Sequence, residues 1–178
     1  MSESASRTPA LKLALALLLA LGLLLGTAYA QDPEPVYGGT VTVAITADPP
    51  GWDPTISTSQ EIPRVMYHNV YEGLVRFDAS FNIVPALSES YTTSDDGLTW
   101  TFHLRDDVRW HDGEPFTADD VVFTFEEVIL NPNVGANNAN VYADVEDVVA
   151  VDERTVEFHL TIPFASLGVN LAYNTPIL

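Results

Sequence analysis

Three stretches of this chain alternate apolar and polar side chains with a period of two, and that pattern restricts the fold more than any other feature. Trp100, Phe102 and Leu104 alternate with Thr99, Thr101 and His103. Val156, Phe158 and Leu160 alternate with Thr155, Glu157 and His159, and Val41, Val43 and Ile45 with Thr40, Thr42 and Ala44. Successive strand residues point to opposite faces, so each stretch predicts a strand with one buried face. Ser94, Asp95, Asp96 and Gly97 have the chemistry of a tight turn, which predicts a hairpin of residues 91–93 with 98–104. A second hairpin is predicted to pair 145–151 with 155–160. Short strands are expected around 74–77 and through 108–111, the latter ending at a turn on Asp112 and Gly113.

Helical spacing appears between these strands. Thr58, Ser59, Gln60 and Glu61 form a capping-box pattern ahead of Val65, Met66, Val70 and Leu74, with Glu72 and Gly73 as the expected stop. Thr117 is a good cap, followed by Asp119 and Asp120 in the positive first turn. Val121, Phe125, Val128 and Ile129 then make an amphipathic stripe that should stop near Asn131 and Pro132. The asparagine-rich stretch 133–140 reads as loop. Phe164, Leu167 and Leu171 predict a short helix opened by Pro163. Helices alternating with antiparallel hairpins make the class α+β.

The first 30 residues follow another plan. Arg7 and Lys12 precede an uncharged apolar run from Leu13 to Leu25, and small residues Gly26 to Ala30 follow, which is the layout of a secretory signal peptide. The run is short of the roughly 18 to 20 residues that span a bilayer. Cleavage is expected after about Ala30, retention as an anchor being the other reading. The chain has no cysteine, so lipidation, disulfides and thiolate metal sites are excluded. Residues 31–37 read as a tether. Removing residues 1–30 takes away Arg7, Lys12 and Glu3 and leaves 5 of the 7 basic and 24 of the 25 acidic residues, a formal charge of −19. A surface of that sign repels phosphate backbones, so no nucleic-acid partner is expected.

No nucleophile elbow, zinc-protease helix, phosphate loop or dinucleotide fingerprint occurs. The strongest candidate for chemistry is His103 with His111 and Asp112, since imidazole and carboxylate can share a metal. The plainer reading makes them a strand surface residue and an ordinary turn. Adjacent acids at 95–96, 106–107 and 119–120 fall at turns or a helix start, where they act as caps. Trp100 belongs in a core. Trp52 lies in the loop Asp48, Pro49, Pro50, Gly51, Trp52, Asp53, Pro54 past the first strand, where a pocket wall is the expected role.

Several segments resemble the bacterial family 5 extracellular solute-binding proteins, the oligopeptide-, dipeptide- and nickel-binding group that serves ABC importers. They are Tyr71 to Val75, Pro85 to Ser90, Asp96 to Val108, Trp110 to Gly113 and Thr117 to Val122. The resemblance implies the start of a class II periplasmic-binding-protein fold. Residues 38–54 would be the first strand and cleft loop of lobe I, and 55–178 an additional inserted domain of antiparallel hairpins and helices. The second lobe is absent, so the chain is expected to be an amino-terminal fragment that by itself binds solute weakly or not at all. The resemblance further implies that Ala47, Asp48 and Trp52 border the ligand cleft and that Tyr142 lies near another ligand-reaching segment. It agrees with the reading of the residues, from which no catalysis, no metal and no cofactor are expected, and it implies a small solute such as a di- or oligopeptide, a membrane permease as partner, and a monomer in the periplasm or outside the cell. Two other readings stay open: a secreted metal-dependent hydrolase using His103, His111 and Asp112, and a stand-alone interaction domain.

Overall fold

The computed structural model describes residues 38–178. The expected signal peptide and the tether at 31–37 lie outside the described residues. The chain divides into two units, residues 1–43 and 44–178. Of the first unit only residues 38–43 are described; they carry no sheet pairing, and Val41 and Val43 are exposed. The strand expected at 39–46 is therefore not formed. Alternation decides which face a strand would bury, whereas a ladder also needs a partner, and none pairs here among the described residues.

The second unit is built around a four-stranded antiparallel sheet of β3 (Ser88–Thr93), β4 (Thr99–Leu104), β5 (Val145–Asp152) and β6 (Thr155–Leu160), in the order β3-β4-β6-β5. Both expected hairpins are present. The turn between β3 and β4 closes on itself: the Asp96 carboxylate accepts from the Ser94 hydroxyl (2.6 Å) and the Leu98 N–H (3.1 Å). Gly97 sits in the left-handed region (φ 72°), a conformation that costs glycine nothing.

Register places Trp100 opposite Phe158 and Phe102 opposite Val156. Trp100, Phe102, Leu104, Val156, Phe158 and Leu160 thus share the buried face, while Thr99, Thr101, His103, Thr155, Glu157 and His159 share the other. The aromatic core is continuous. Tyr91 stacks on Trp100 (5.6 Å), Phe102 meets Phe158 edge-on (5.4 Å), and Phe125 meets Phe158 in the same way (4.7 Å). Such pairs add about 0.5–1.5 kcal/mol each beyond the area they bury.

Phe125 comes from the helix covering this face. Its first part, α2 (Ala118–Val122), is capped reciprocally, the Asp120 carboxylate accepting from the Thr117 N–H (2.8 Å) and hydroxyl (3.2 Å). It continues as a π-helical stretch, Phe123–Ile129, closed by a five-residue bond from Leu130 N–H to the Phe125 carbonyl (2.8 Å). Sequence periodicity did not foresee the π turns. Val121, Phe125 and Ile129 are buried but Val128 is only half-buried. A π turn takes more residues than an α turn, so residues four apart stay aligned and Val128 rotates off the stripe.

A two-stranded ribbon, β1 (Val75–Phe77) with β2 (Ile83–Pro85), lies beside the sheet and under α3 (Leu167–Asn174). The ribbon's second strand was not anticipated, and α3 starts after Ser166, later than Pro163 suggested. The strand expected at 108–111 is reduced to a single bridge between Arg109 and Pro115. The early helix is also shorter than expected. It is α1 (Glu61–Met66), preceded by Gln60 with no side-chain cap. Glu61 does not cap it, because its Oε1 is taken by the Thr46 hydroxyl (2.5 Å) and the Arg64 guanidinium (2.7 Å). The chain leaves α1 through His68, which has a left-handed backbone (φ 60°), so Val70 falls outside the helix and is exposed.

Candidate functional site

The loop singled out by its prolines and by Trp52 is described in full. Ala47, Asp48 and Trp52 are all exposed, Trp52 with 54% of its surface accessible. A bulky indole so placed contributes little to folding and is free to stack on something else. The loop is shaped at its far end. The Asp53 carboxylate accepts from the Thr55 N–H (2.8 Å) and the Thr55 hydroxyl (2.5 Å), an Asx-type turn. Those two bonds hold the Asp53 pKa below its ordinary value.

A residue 80 positions away completes this shape. The Asn137 side-chain amide donates to the Ser57 carbonyl (2.5 Å) and to the Pro54 carbonyl (3.4 Å). Its main-chain N–H donates to the Thr55 carbonyl (2.8 Å). The asparagine-rich stretch, expected to be only a loop, thus ties the 54–57 segment to the body of the domain. It runs on into a 3-10 turn, Ala139–Tyr142.

Tyr142 does not join the loop residues. It is 1% exposed, its ring meets Phe125 edge-on (5.3 Å), and its hydroxyl is hydrogen-bonded to the Thr175 hydroxyl. Burial pushes the phenol pKa well above its ordinary range. Tyr142 is a core residue of this unit, and the member of its segment that reaches the loop is Asn137. Sequence reading passed over Asn137 because asparagine is common in loops. The available signal was its place in a run of asparagines, whose amides can bond carbonyls that a chain reversal leaves unpaired.

The residues weighed as a metal centre take other parts. His103 faces the Thr155 hydroxyl across the sheet (3.5 Å). Asp112 accepts from the Glu114 N–H (3.1 Å) inside the exposed turn that also holds His111. Among the described residues no three His, Asp or Glu side chains gather closely enough to hold a metal. His159 is the best-connected imidazole, with Nδ1 2.6 Å from Asp147 and Nε2 3.3 Å from Glu157. Desolvation works to lower its pKa, and the hydrogen bonds to Glu157 and Asp147 outweigh it, leaving the pKa above the ordinary value.

A hollow of about 130 Å³ opens elsewhere, lined by Tyr71, Glu72, Arg109, Trp110, His111 and Phe116 among others. None of Ala47, Asp48, Trp52 or Tyr142 borders it.

Comparison with known proteins adds a family. Residues 82–178 match the model of the bacterial extracellular solute-binding proteins, family 5 middle region. A glutathione-binding protein of Pectobacterium atrosepticum is 32% identical over 149 residues, covering 84% of this chain and 27% of the relative. A dipeptide-binding protein of Escherichia coli is 32% identical over 154 residues, 77% of this chain and 29% of the relative. Among solved structures, OppA of Haemophilus influenzae in complex with RPPGFSPFR superposes with a TM-score of 0.68 at 30% identity, covering 74% of this chain and 29% of that one. The chain spans less than a third of the length of the curated relatives it matches.

Proposed function

The chain belongs to the bacterial extracellular solute-binding proteins of family 5, and from that premise we propose that it serves as the solute-capturing part of an ABC importer. The proposed cargo is short peptides, handed to a membrane permease. The observation that carries this is the family match over 82–178, joined by relatives named for glutathione and dipeptide. The family and these relatives are binding proteins and not enzymes.

In this reading residues 38–54, unpaired here, supply a segment that forms the first strand of lobe I only when a partner strand pairs with it, together with the cleft loop, and 55–178 form the additional domain. Ala47 and Asp48 offer main-chain and carboxylate contacts to the polar end of a solute, and Trp52 offers an aromatic wall. A site of this kind pairs a few fixed polar groups with apolar surface that accepts varied side chains. The signal peptide directs the protein across the membrane, is removed after about Ala30, and leaves an unlipidated monomer in the periplasm or outside the cell. Tyr142 serves by packing the segment that reaches the loop, not by touching solute.

A thermal-shift screen tests the cargo class. The full-length gene product carrying this sequence, presented with a library of di- to nonapeptides and glutathione, should melt at higher temperature with a subset of them, because a ligand that binds only the folded state stabilises it. A melting temperature that no library member raises contradicts peptide capture.

A further inference from the structure

We infer that Asn137 is the positioning residue of the Trp52 loop, fixing its conformation through hydrogen bonds that an asparagine side chain is suited to make. The inference rests on reading this loop as the border of the solute cleft, but its geometry stands apart from that reading.

The loop is pre-stiffened by Pro49, Pro50 and Pro54, whose rings fix φ. A stiff segment is aimed by whatever holds its ends. One end is held at Thr46, whose hydroxyl donates to the buried Glu61 carboxylate. The other is held by Asn137. Its amide nitrogen reaches two carbonyls, Pro54 (3.4 Å) and Ser57 (2.5 Å), and its N–H reaches a third, Thr55 (2.8 Å). The three acceptors come from one four-residue stretch, and the side-chain bonds span 83 and 80 positions of sequence.

The chemistry is specific. Both side-chain acceptors are main-chain carbonyls, so the clamp requires an uncharged donor with two N–H groups on a short stem. Alanine would remove two bonds and keep the main-chain one. Aspartate would be worse, because it turns acceptor oxygens toward carbonyl oxygens. Asn137 is itself exposed, so its loss opens no cavity. A loop held in one conformation before solute arrives has less freedom to lose on binding, and affinity gains accordingly. Asn137 would act on affinity in this way without touching the solute.

Fluorine NMR of the full-length gene product labelled with 5-fluorotryptophan tests this directly, with the Trp52 line assigned by Trp52→Phe. In Asn137→Asp the Trp52 resonance should move toward that of free fluorotryptophan, while the Trp100 and Trp110 resonances hold. Asn137→Ala should move the Trp52 line in the same direction by less. A Trp52 line unmoved in both variants overturns the assignment. So does a joint shift of the Trp52, Trp100 and Trp110 lines, since Asn137 would then be supporting the core and not the loop. The readout needs no solute, so failure of the peptide reading and failure of the clamp are separately visible.

Discussion

At the residue scale, the side chains that make the sequence recognisable turn out to build the fold. The Tyr71 to Val75 segment is a set of main-chain acceptors: the Glu72 carbonyl accepts from Ile177 N–H (2.9 Å), that of Gly73 from Leu87 N–H (3.1 Å), and that of Leu74 from Ser88 N–H (3.0 Å) and hydroxyl (2.7 Å). Gly73 must be glycine because a Cβ there would lie 2.8 Å from the Thr175 carbonyl oxygen. Gly73→Ala should therefore cost about 1–3 kcal/mol by overpacking and lower the melting temperature. An unchanged melt would show that the backbone there gives way freely. Tyr142→Phe tests the core role of that tyrosine. It should lose about 1 kcal/mol with the Thr175 hydrogen bond and leave solute affinity unchanged, whereas a large loss of affinity at constant stability would return Tyr142 to the cleft. His159 carries the acid-side prediction. Its pKa is raised by Glu157 and Asp147, so the stability it adds is present below its unfolded value near 6.5 and is lost as pH rises through the folded pKa. The ring is 36% exposed, so screening keeps the gain under about 1 kcal/mol. His159→Gln should melt below wild type at pH 5.5, and the gap should narrow by pH 8.

At the element scale, strands with one buried face were legible because each keeps its alternation and is bounded by turn residues. Ser94 to Gly97 and the loop between β5 and β6 delivered both hairpins. What alternation leaves open is pairing, and residues 39–46 show the limit, with a strand pattern and no ladder. Helix lengths were less legible. Thr58 resembled a cap, yet Glu61 spends its carboxylate on Arg64, three residues on, and on Thr46, the second a contact no local pattern encodes. The π stretch was hidden because spacing cannot distinguish a wide turn from a shifted stripe. That helix also guards a sheet edge. β5 is an edge strand, and Glu126 accepts from the Val148 N–H (2.7 Å). Unpaired edge amides invite pairing with other chains. Glu126→Ala should therefore speed hydrogen exchange at Val148 and increase self-association in sedimentation, while Glu126→Gln, which keeps an acceptor, should do neither.

At the scale of the whole molecule, one hydrophobic core supports a loop that contributes almost nothing to it. Trp100 is buried by the sheet while Trp52 is left in solvent, so one indole serves the core and the other adds little to it. The candidate site was legible to the extent that it is local: the proline-rich loop and its tryptophan stand out in the sequence. Asn137 was not, because what matters there is a contact across 80 residues that only the fold creates. The strong negative charge, formally −18 for the chain, disfavours anionic surfaces as partners. Peptide capture at this loop is the central claim, and calorimetric titration of the full-length gene product with a peptide selected by thermal shift tests it most directly. Wild type should bind with one saturable site, and Trp52→Ala should weaken that binding by about tenfold, the effect of losing roughly 1.4 kcal/mol of contact, at unchanged melting temperature. Equal affinity in the two proteins would contradict the claim and place the solute elsewhere.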